Sequence, residues 1–241
     1  MADYRERIYA SYVSRGGDRA AVFDTEAAEQ WGRIYDSYLA GWLPGTKSAA
    51  ILDVACGTGN LLHFLKRRGY TELSGVDTSL EQVNLARQVV PRVEHDDVSR
   101  YLHARSAEFD LIVGFNIIEH LKKDEVLDFL DGCLGALRSG GRLILQTPNG
   151  ESPWGNATRY GDFSHETCFT PSSLQWLLSL CGFAQIENRE AGPRPLSIRG
   201  SVRYMLWQTI SAGLRIWNLA ETGSAGGSIY TRVFFATGVK P

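Results

Sequence analysis

Residues 49–60, AAILDVACGTGN, constrain the fold more than any other stretch of this chain. An apolar run of strand length stops at Asp53 and gives way to a turn carrying Gly57 and Gly59. NLLHFLKRRG then continues with helical spacing. A strand with no polar alternation is buried on both faces, as in a parallel sheet covered by helices. Two glycines let the backbone bend sharply and let a ligand approach with no Cβ in its way. The helix that follows aims its free N–H groups at the turn.

The same rhythm repeats along the chain. ELSGVD reads as a second strand, and SLEQVNLARQVV as a helix with Ser79 at its N-cap and Pro91 at its end. RVEHDDV is a short third strand, FDLIVGF an apolar fourth and RLILQTP a fifth. DEVLDFLDGCLGALRSGG reads as an amphipathic helix closed by Gly140 and Gly141. Residues 148–170 read as a long polar loop, and a loop of that length inside a compact domain carries function. Pro171 opens a helix that Gly182 ends. FAQIENRE and IYTRVFFATGV alternate as last strands, with an insertion, 191–228, holding one helix between them.

Residues 1–45 read as an N-terminal cap of two helices outside the main core pattern. One is spaced on Tyr4, Ile8 and Tyr12, the other on Trp31, Ile34, Tyr35, Tyr38 and Leu39. Leu43-Pro44-Gly45 separates the cap from a domain spanning 46–241. The expected fold class is α/β, a doubly wound, mostly parallel seven-stranded sheet with helices on both faces. The ligand of such a sheet lies beyond the C-terminal ends of its strands.

Composition removes other classes. A net charge of -2 on 241 residues gives no global pull toward nucleic acid or an anionic membrane. The four cysteines, Cys56, Cys133, Cys168 and Cys181, form no CxxC pair and no zinc spacing, so a reduced, cytoplasmic chain is expected. The charged N-terminal stretch does not read as a secretion signal, and no apolar run is long enough for a membrane span.

The chemistry gathers at the strand ends. After Gly57-x-Gly59 the third position of a dinucleotide fingerprint is Leu62, which speaks against NAD. Asp77 closes the second strand about 20 residues past the glycines, where an acid of an α/β nucleotide site takes the ribose. Its two coplanar oxygens match two hydroxyls. Asp96-Asp97-Val98 closes the third strand, and Phe115-Asn116-Ile117-Ile118-Glu119-His120 follows the fourth.

Taken in order, ILDVACGTGN, GVDTS, HDDV, FDLIVGFNIIEHL and LRSGGRLILQTPN resemble the class I S-adenosylmethionine (SAM)-dependent methyltransferases over about residues 49–190 and the last strand. Ala55 stands where that family's first motif has its first glycine. The resemblance implies SAM as cofactor and S-adenosylhomocysteine as product. It implies that Asp53 and the turn of Ala55, Cys56, Gly57, Gly59 and Asn60 hold the methionine part. Asp77 with Thr78 would hold the ribose, Asp97 with Val98 the adenine, and Phe115 and Asn116 would flank the sulfonium.

Asn116-Ile117-Ile118-Glu119 is not the Asn/Asp-Pro-Pro-aromatic string of methyltransferases acting on base nitrogens, nor a double-Glu loop of the arginine-methylating type. IIEHL is similar to small-molecule O-methyltransferases related to ubiquinone biosynthesis. TPNGESPWGNATRYGDFSHE, with His165-Glu166-x-x-Phe169-Thr170-Pro171, resembles glycan-modifying methyltransferases. The expected acceptor is therefore a hydroxyl of a small polar molecule, a sugar of a surface glycan or its precursor. A quinone or natural-product acceptor is the alternative, and a non-catalytic SAM-binding partner protein a third.

A sugar hydroxyl must lose its proton as it attacks, and imidazole suits that task. His165 is the expected base and His120 the second candidate. Some quinone-type relatives bind a divalent metal with a further acid one turn before Glu119-His120. Asn116 occupies that place here, so no metal is expected.

In the insertion, Val202, Leu206, Ile210, Leu214 and Trp217 form a helical stripe. A helix packed on the sheet, or on a second copy in a homodimer, is the first reading. The second is an interfacial helix over 198–220, carrying Trp207 and Trp217, that meets a lipid-linked glycan at a membrane.

Overall fold

The computed structural model describes Ile8 and residues 22–241. The expected helix on Tyr4, Ile8 and Tyr12 lies outside the described residues, Ile8 apart. Seven strands form one sheet: β1 (Ile51–Val54), β2 (Leu73–Asp77), β3 (Val93–His95), β4 (Phe109–Phe115), β5 (Leu137–Pro148), β6 (Ala184–Glu190) and β7 (Val233–Val239). Their order is β3-β2-β1-β4-β5-β7-β6. All pairs are parallel except those of β7, which runs antiparallel to both β5 and β6. The expected doubly wound sheet is the observed one.

The helices are α1 (Thr25–Tyr38), α2 (Asn60–Arg67), α3 (Leu80–Ala86), α4 (Val98–His103), α5 (Lys123–Ala136), α6 (Gly155–Gly161), α7 (Pro171–Leu180) and α8 (Ile198–Thr222). Strand periodicity sends alternate residues to opposite faces. Ile51 joins Leu62, Leu65, Val83 and Phe235 on one face, while Leu52 joins Phe129, Leu130, Leu174 and Phe234 on the other. Each such side chain, once fully buried, contributes about 1.5–3 kcal/mol.

The described part of the N-terminal cap packs into the core. Asp24 starts α1 by accepting from the Ala27 N–H at 3.0 Å. Ala28, Tyr38, Leu39 and Trp42 are buried and belong to the same apolar cluster as Ile51 and Phe235. The aromatic spacing of this segment is therefore a packing face.

Several boundaries differ from expectation; the helix expected to run to Pro91 stops at Ala86, and the third strand ends at His95 before Asp96-Asp97-Val98. The helix expected to reach Gly140 stops at Ala136, because Leu137 pairs with Phe109 and begins β5. The loop 148–170 contains the two-turn helix α6. The helix α4, only six residues long, buries just Val98, Tyr101 and Leu102 and was invisible to periodicity. β7 starts at Val233, four residues past the start of its apolar string.

The helix α8 runs through the insertion, but the expected stripe does not pack on the sheet. Val202, Leu206, Ile210 and Trp217 are exposed, and Ser211 is the helix's single buried residue. The sheet face beside β6 and β7 is already covered by α7. What α8 turns inward is the row of Tyr204, Trp207, Ser211 and Leu214, with Trp207 Nε1 donating to Glu190 Oε2 at 3.1 Å.

Candidate functional site

Because β6 runs parallel to β5, the C-terminal ends of β1 to β6 meet on one edge, and the functional residues expected from sequence gather there. At the end of β1 the chain turns through Ala55 (φ 57°), Gly57 (φ 54°) and Gly59 (φ 94°). Gly59 is required twice over. Its φ is left-handed, and a Cβ there would sit 3.0 Å from Ala86 Cα where α2 meets α3. Ala55, where the resemblance expects a glycine, is strained: left-handed backbone costs an alanine about 1 kcal/mol. Ala55→Gly is expected to raise the thermal midpoint by about 2–4 °C, read by calorimetry. An unchanged or lower midpoint would show that the turn carries no such strain.

Asp53 is 3% and Asp77 7% exposed. Asp77 accepts from the Gly57 N–H at 2.9 Å and the Ser79 N–H at 2.8 Å. Burial raises its pKa, and those N–H groups work against the rise. Asp53 is pushed well above the usual carboxylate range by burial and by the neighbouring Asp77. Its carboxyl makes no hydrogen bond among the described residues. Two buried acids beside an open glycine turn form a place that stabilises a cationic ligand with hydroxyls.

The third strand behaves differently. Asp97 Oδ1 accepts from the Arg100 N–H at 2.9 Å and so caps α4. Asp96 pairs with the Arg100 guanidinium and accepts from the Asp97 N–H at 2.7 Å. Asp97 Oδ2 is left for a ligand, while Thr78 is exposed and Val98 buried. At the end of β4, Asn116 takes φ 53°, a left-handed position that Asn tolerates well, and its N–H donates to Gln146 O at 2.9 Å.

The helix α1 adds an aromatic wall beside Phe115 that sequence reasoning missed. Trp31 stacks on Tyr35 at 3.6 Å, and Tyr35 lies 5.5 Å from Phe115 between ring centroids. Gln146 is paired in register with both Phe115 and Phe235. Its Oε1 is buried with no hydrogen-bond partner. A buried acceptor of this kind wants a donor, and a ligand hydroxyl is one.

The two expected bases come together. His120 and His165, 45 residues apart in sequence, face each other edge-on with centroids 4.8 Å apart. His165 Nδ1 lies 3.0 Å from Thr158 O. A carbonyl only accepts, so Nδ1 carries the hydrogen and Nε2 presents its lone pair. His120 Nδ1 lies 3.0 Å from Ser164 Oγ, whose own hydrogen goes to Asp162 Oδ1 at 2.6 Å. Asp162 therefore orients His120 through Ser164, rather than His165 directly as its place in sequence suggests. Burial works to raise the Asp162 pKa, but the two Ser164 bonds and the nearby histidines outweigh it and hold it low.

Glu119 completes the group. It is 1% exposed, accepts from Thr147 Oγ1 at 3.0 Å, and burial lifts its pKa to about 7. Its carbonyl oxygen accepts from the Glu166 and Thr167 N–H groups and ties the loop to the end of β4. One ligand atom each from Glu119, His120 and His165 lie within 4.8 Å of one another. Sequence spacing offered two such donors in the turn after β4, and the fold supplies a third. Nitrogen and oxygen ligands of a single ion sit about 3 Å apart, so the trio is wider than a formed site.

A family model described as a methyltransferase domain matches residues 23–188, and the chain belongs to that family. Its fold is that of the class I SAM-dependent methyltransferases. The chain is 34% identical over 107 residues to a trans-aconitate 2-methyltransferase of Azoarcus sp. strain BH72, covering 44% of this chain and 42% of the relative. It is 28% identical over 147 residues to a ubiquinone biosynthesis O-methyltransferase of Alkalilimnicola ehrlichii, covering 54% and 58%. The chain thus spans about half the length of the curated relatives it matches. Among solved structures, a SAM-dependent methyltransferase from Archaeoglobus fulgidus superposes with a TM-score of 0.64 at 18% identity, covering 90% of this chain and 95% of that one. Magnesium protoporphyrin IX methyltransferase from Synechocystis PCC 6803 gives a TM-score of 0.61 at 15% identity, covering 99% and 100%. At those identities the structures share the fold.

Proposed function

We propose that this chain is an O-methyltransferase that transfers the methyl group of SAM to a hydroxyl of a small polar acceptor, a sugar of a surface glycan or its precursor. The observation that carries the reading is the meeting of His120 and His165 at the strand edge that holds Asp53, Asp77 and the glycine turn. SAM supplies an electrophilic methyl on a sulfonium. What the protein must add is alignment of the acceptor and a place for its proton. His165 Nε2 takes that proton, Thr158 O holds the ring, and Gln146 Oε1 accepts from a further acceptor hydroxyl. Asp77 takes both ribose hydroxyls, Asp53 and the 55–60 turn the methionine part, and Asp97 Oδ2 with the Val98 N–H the adenine. The helix α1 closes the acceptor side through Trp31 and Tyr35. The four free cysteines suit a reducing, cytoplasmic setting.

The aromatic wall of Trp31, Tyr35 and Phe115 favours a second reading, a phenolic or quinone-type acceptor, in keeping with the similarity to ubiquinone biosynthesis O-methyltransferases. Product detection by mass with labelled SAM, over sugar and phenol acceptors, separates the two. Transfer to sugars is expected, and transfer to phenols alone would replace the first reading with the second.

Asp77→Ala is expected to weaken SAM by about 2 kcal/mol or more, the scale of charge-assisted hydrogen bonds lost from a buried site. Titration calorimetry with SAM and S-adenosylhomocysteine measures it. Equal affinity in the two proteins would remove Asp77 from the cofactor site.

Activity is expected to survive a strong chelator, because Asn116 is a poor ligand for a hard cation and the Glu119, His120 and His165 donors stand apart. Full loss on chelation, restored by a divalent cation, would make these three residues ligands instead.

A further inference from the structure

We propose that α8 is an interfacial docking helix that lays its outer face on an anionic membrane surface. The helix is 25 residues long, about 37 Å at 1.5 Å per residue. Its outer face is apolar almost end to end. Ile198 is 87% exposed, Met205 69%, Leu206 59% and Ile216 67%. With Val202 and Leu219 they lie on one helix face at about 100° per residue, and Thr209 and Ala212 continue that face between Met205 and Ile216. Apolar residues of a soluble surface helix normally turn inward, and the inward row here is already filled by Tyr204, Trp207, Ser211 and Leu214. A contiguous patch of this kind marks a contact surface.

The charges choose the occupant. Arg199 and Arg203 flank the apolar face on one side and Arg215 on the other, at about 100° per residue. None of the three makes an ion pair among the described residues. The helix's one acid, Glu221, accepts from Trp217 Nε1 at 3.0 Å. Packing this face on a second copy would set arginine against arginine around the seam. An anionic surface satisfies the apolar stripe and both basic flanks at once. Trp217, 68% exposed at the edge of the stripe, suits the headgroup level, whereas Trp207 is turned inward onto Glu190. Among the described residues no helix is long and apolar enough to cross a membrane, so α8 would lie in the plane of the surface.

The placement has a consequence for the site. The helix α8 leaves from the end of β6 and returns into the start of β7, both on the edge where β1, β2 and β4 end. Asn149 Nδ2 donates to Ile229 O at 2.8 Å and Thr231 O at 2.9 Å, fixing the return segment to the end of β5. Docking of α8 therefore brings the rim of the catalytic edge to the surface, where a lipid-linked acceptor would be presented.

Co-sedimentation of the full chain with vesicles tests this. Vesicles with about one-third phosphatidylglycerol are expected to bind the chain at least about tenfold more tightly than pure phosphatidylcholine, and about 0.5 M salt should reverse that preference. The pair Arg199→Glu with Arg203→Glu should cut binding at least about tenfold, and Leu206→Glu with Ile216→Glu should abolish it. SAM affinity, measured on the same variants, reports that the domain remains folded. Because vesicle binding is read without any acceptor, its failure is distinct from failure of the acceptor assignment. The proposal is overturned by absence of binding to both vesicle types. It is overturned equally by binding that both variant pairs leave intact, or by a dimer in sedimentation equilibrium that Leu206→Glu dissociates.

Discussion

Replacing His165 by Ala is expected to lower turnover about 100-fold while leaving SAM affinity unchanged. The acceptor oxygen of a sugar has a high pKa, so a positioned base is worth more here than for an acidic acceptor. The geometry points to one atom for the proposed base: Thr158 O fixes the hydrogen on Nδ1, so Nε2 is the nitrogen that can take a proton. His165→Gln keeps much of the shape and none of the basicity, so it should fall as far as Ala. His120→Ala belongs in the same experiment, because His120 lies 4.8 Å away and is oriented by its own Ser164–Asp162 chain. A large loss in His120→Ala alone would transfer the base to the end of β4. Near-normal turnover in every variant would leave alignment as the whole of the protein's contribution.

Stability is expected to fall as pH rises from about 4.5 through 7, and Glu119 is expected to carry a large part of that slope. The sign follows from the direction of the shift. Burial raises the folded-state pKa of Glu119 from 4.5 to about 7, so between those values the folded chain holds a proton that the unfolded chain has released. The stabilisation is complete below the lower value and lost as pH passes the upper one, with a ceiling of about 3 kcal/mol. Asp53 and Asp77 are raised by burial too and add to the same slope. The readout is therefore the difference between the wild type and Glu119→Gln, which keeps an acceptor for Thr147 Oγ1 without the titration. Denaturant midpoints from pH 4 to 8 should converge at the acid end and separate toward pH 8, with the variant the more stable. Parallel curves would show that Glu119 ionises normally in the folded chain.

Much of this protein was legible in sequence because it is written locally. The strand–turn–helix repeat gave the parallel sheet, since an apolar strand, a glycine turn and a helical stripe are each short-range patterns. The positions of Asp53, Asp77 and the Gly57–Gly59 turn followed from strand ends alone, and they do share one edge. The boundaries that failed were those where a partner strand overrode local preference, as where Leu137 left its helix to pair with Phe109.

What the sequence by itself determined is the fold class and the edge on which Asp53, Asp77 and the glycine turn meet, because both rest on spacing within about 30 residues of chain. The tertiary structure alone decided the rest. It brought His120 against His165 across 45 positions, and routed Asp162 through Ser164 to the first of them. It drew Trp31 and Tyr35 from a supposed outlying cap to the side of Phe115. It also turned the apolar stripe of α8 outward. A hydrophobic period states that a face will be covered, but not by what. That choice depends on which surfaces the other elements have already filled, and it is made only when the chain is packed.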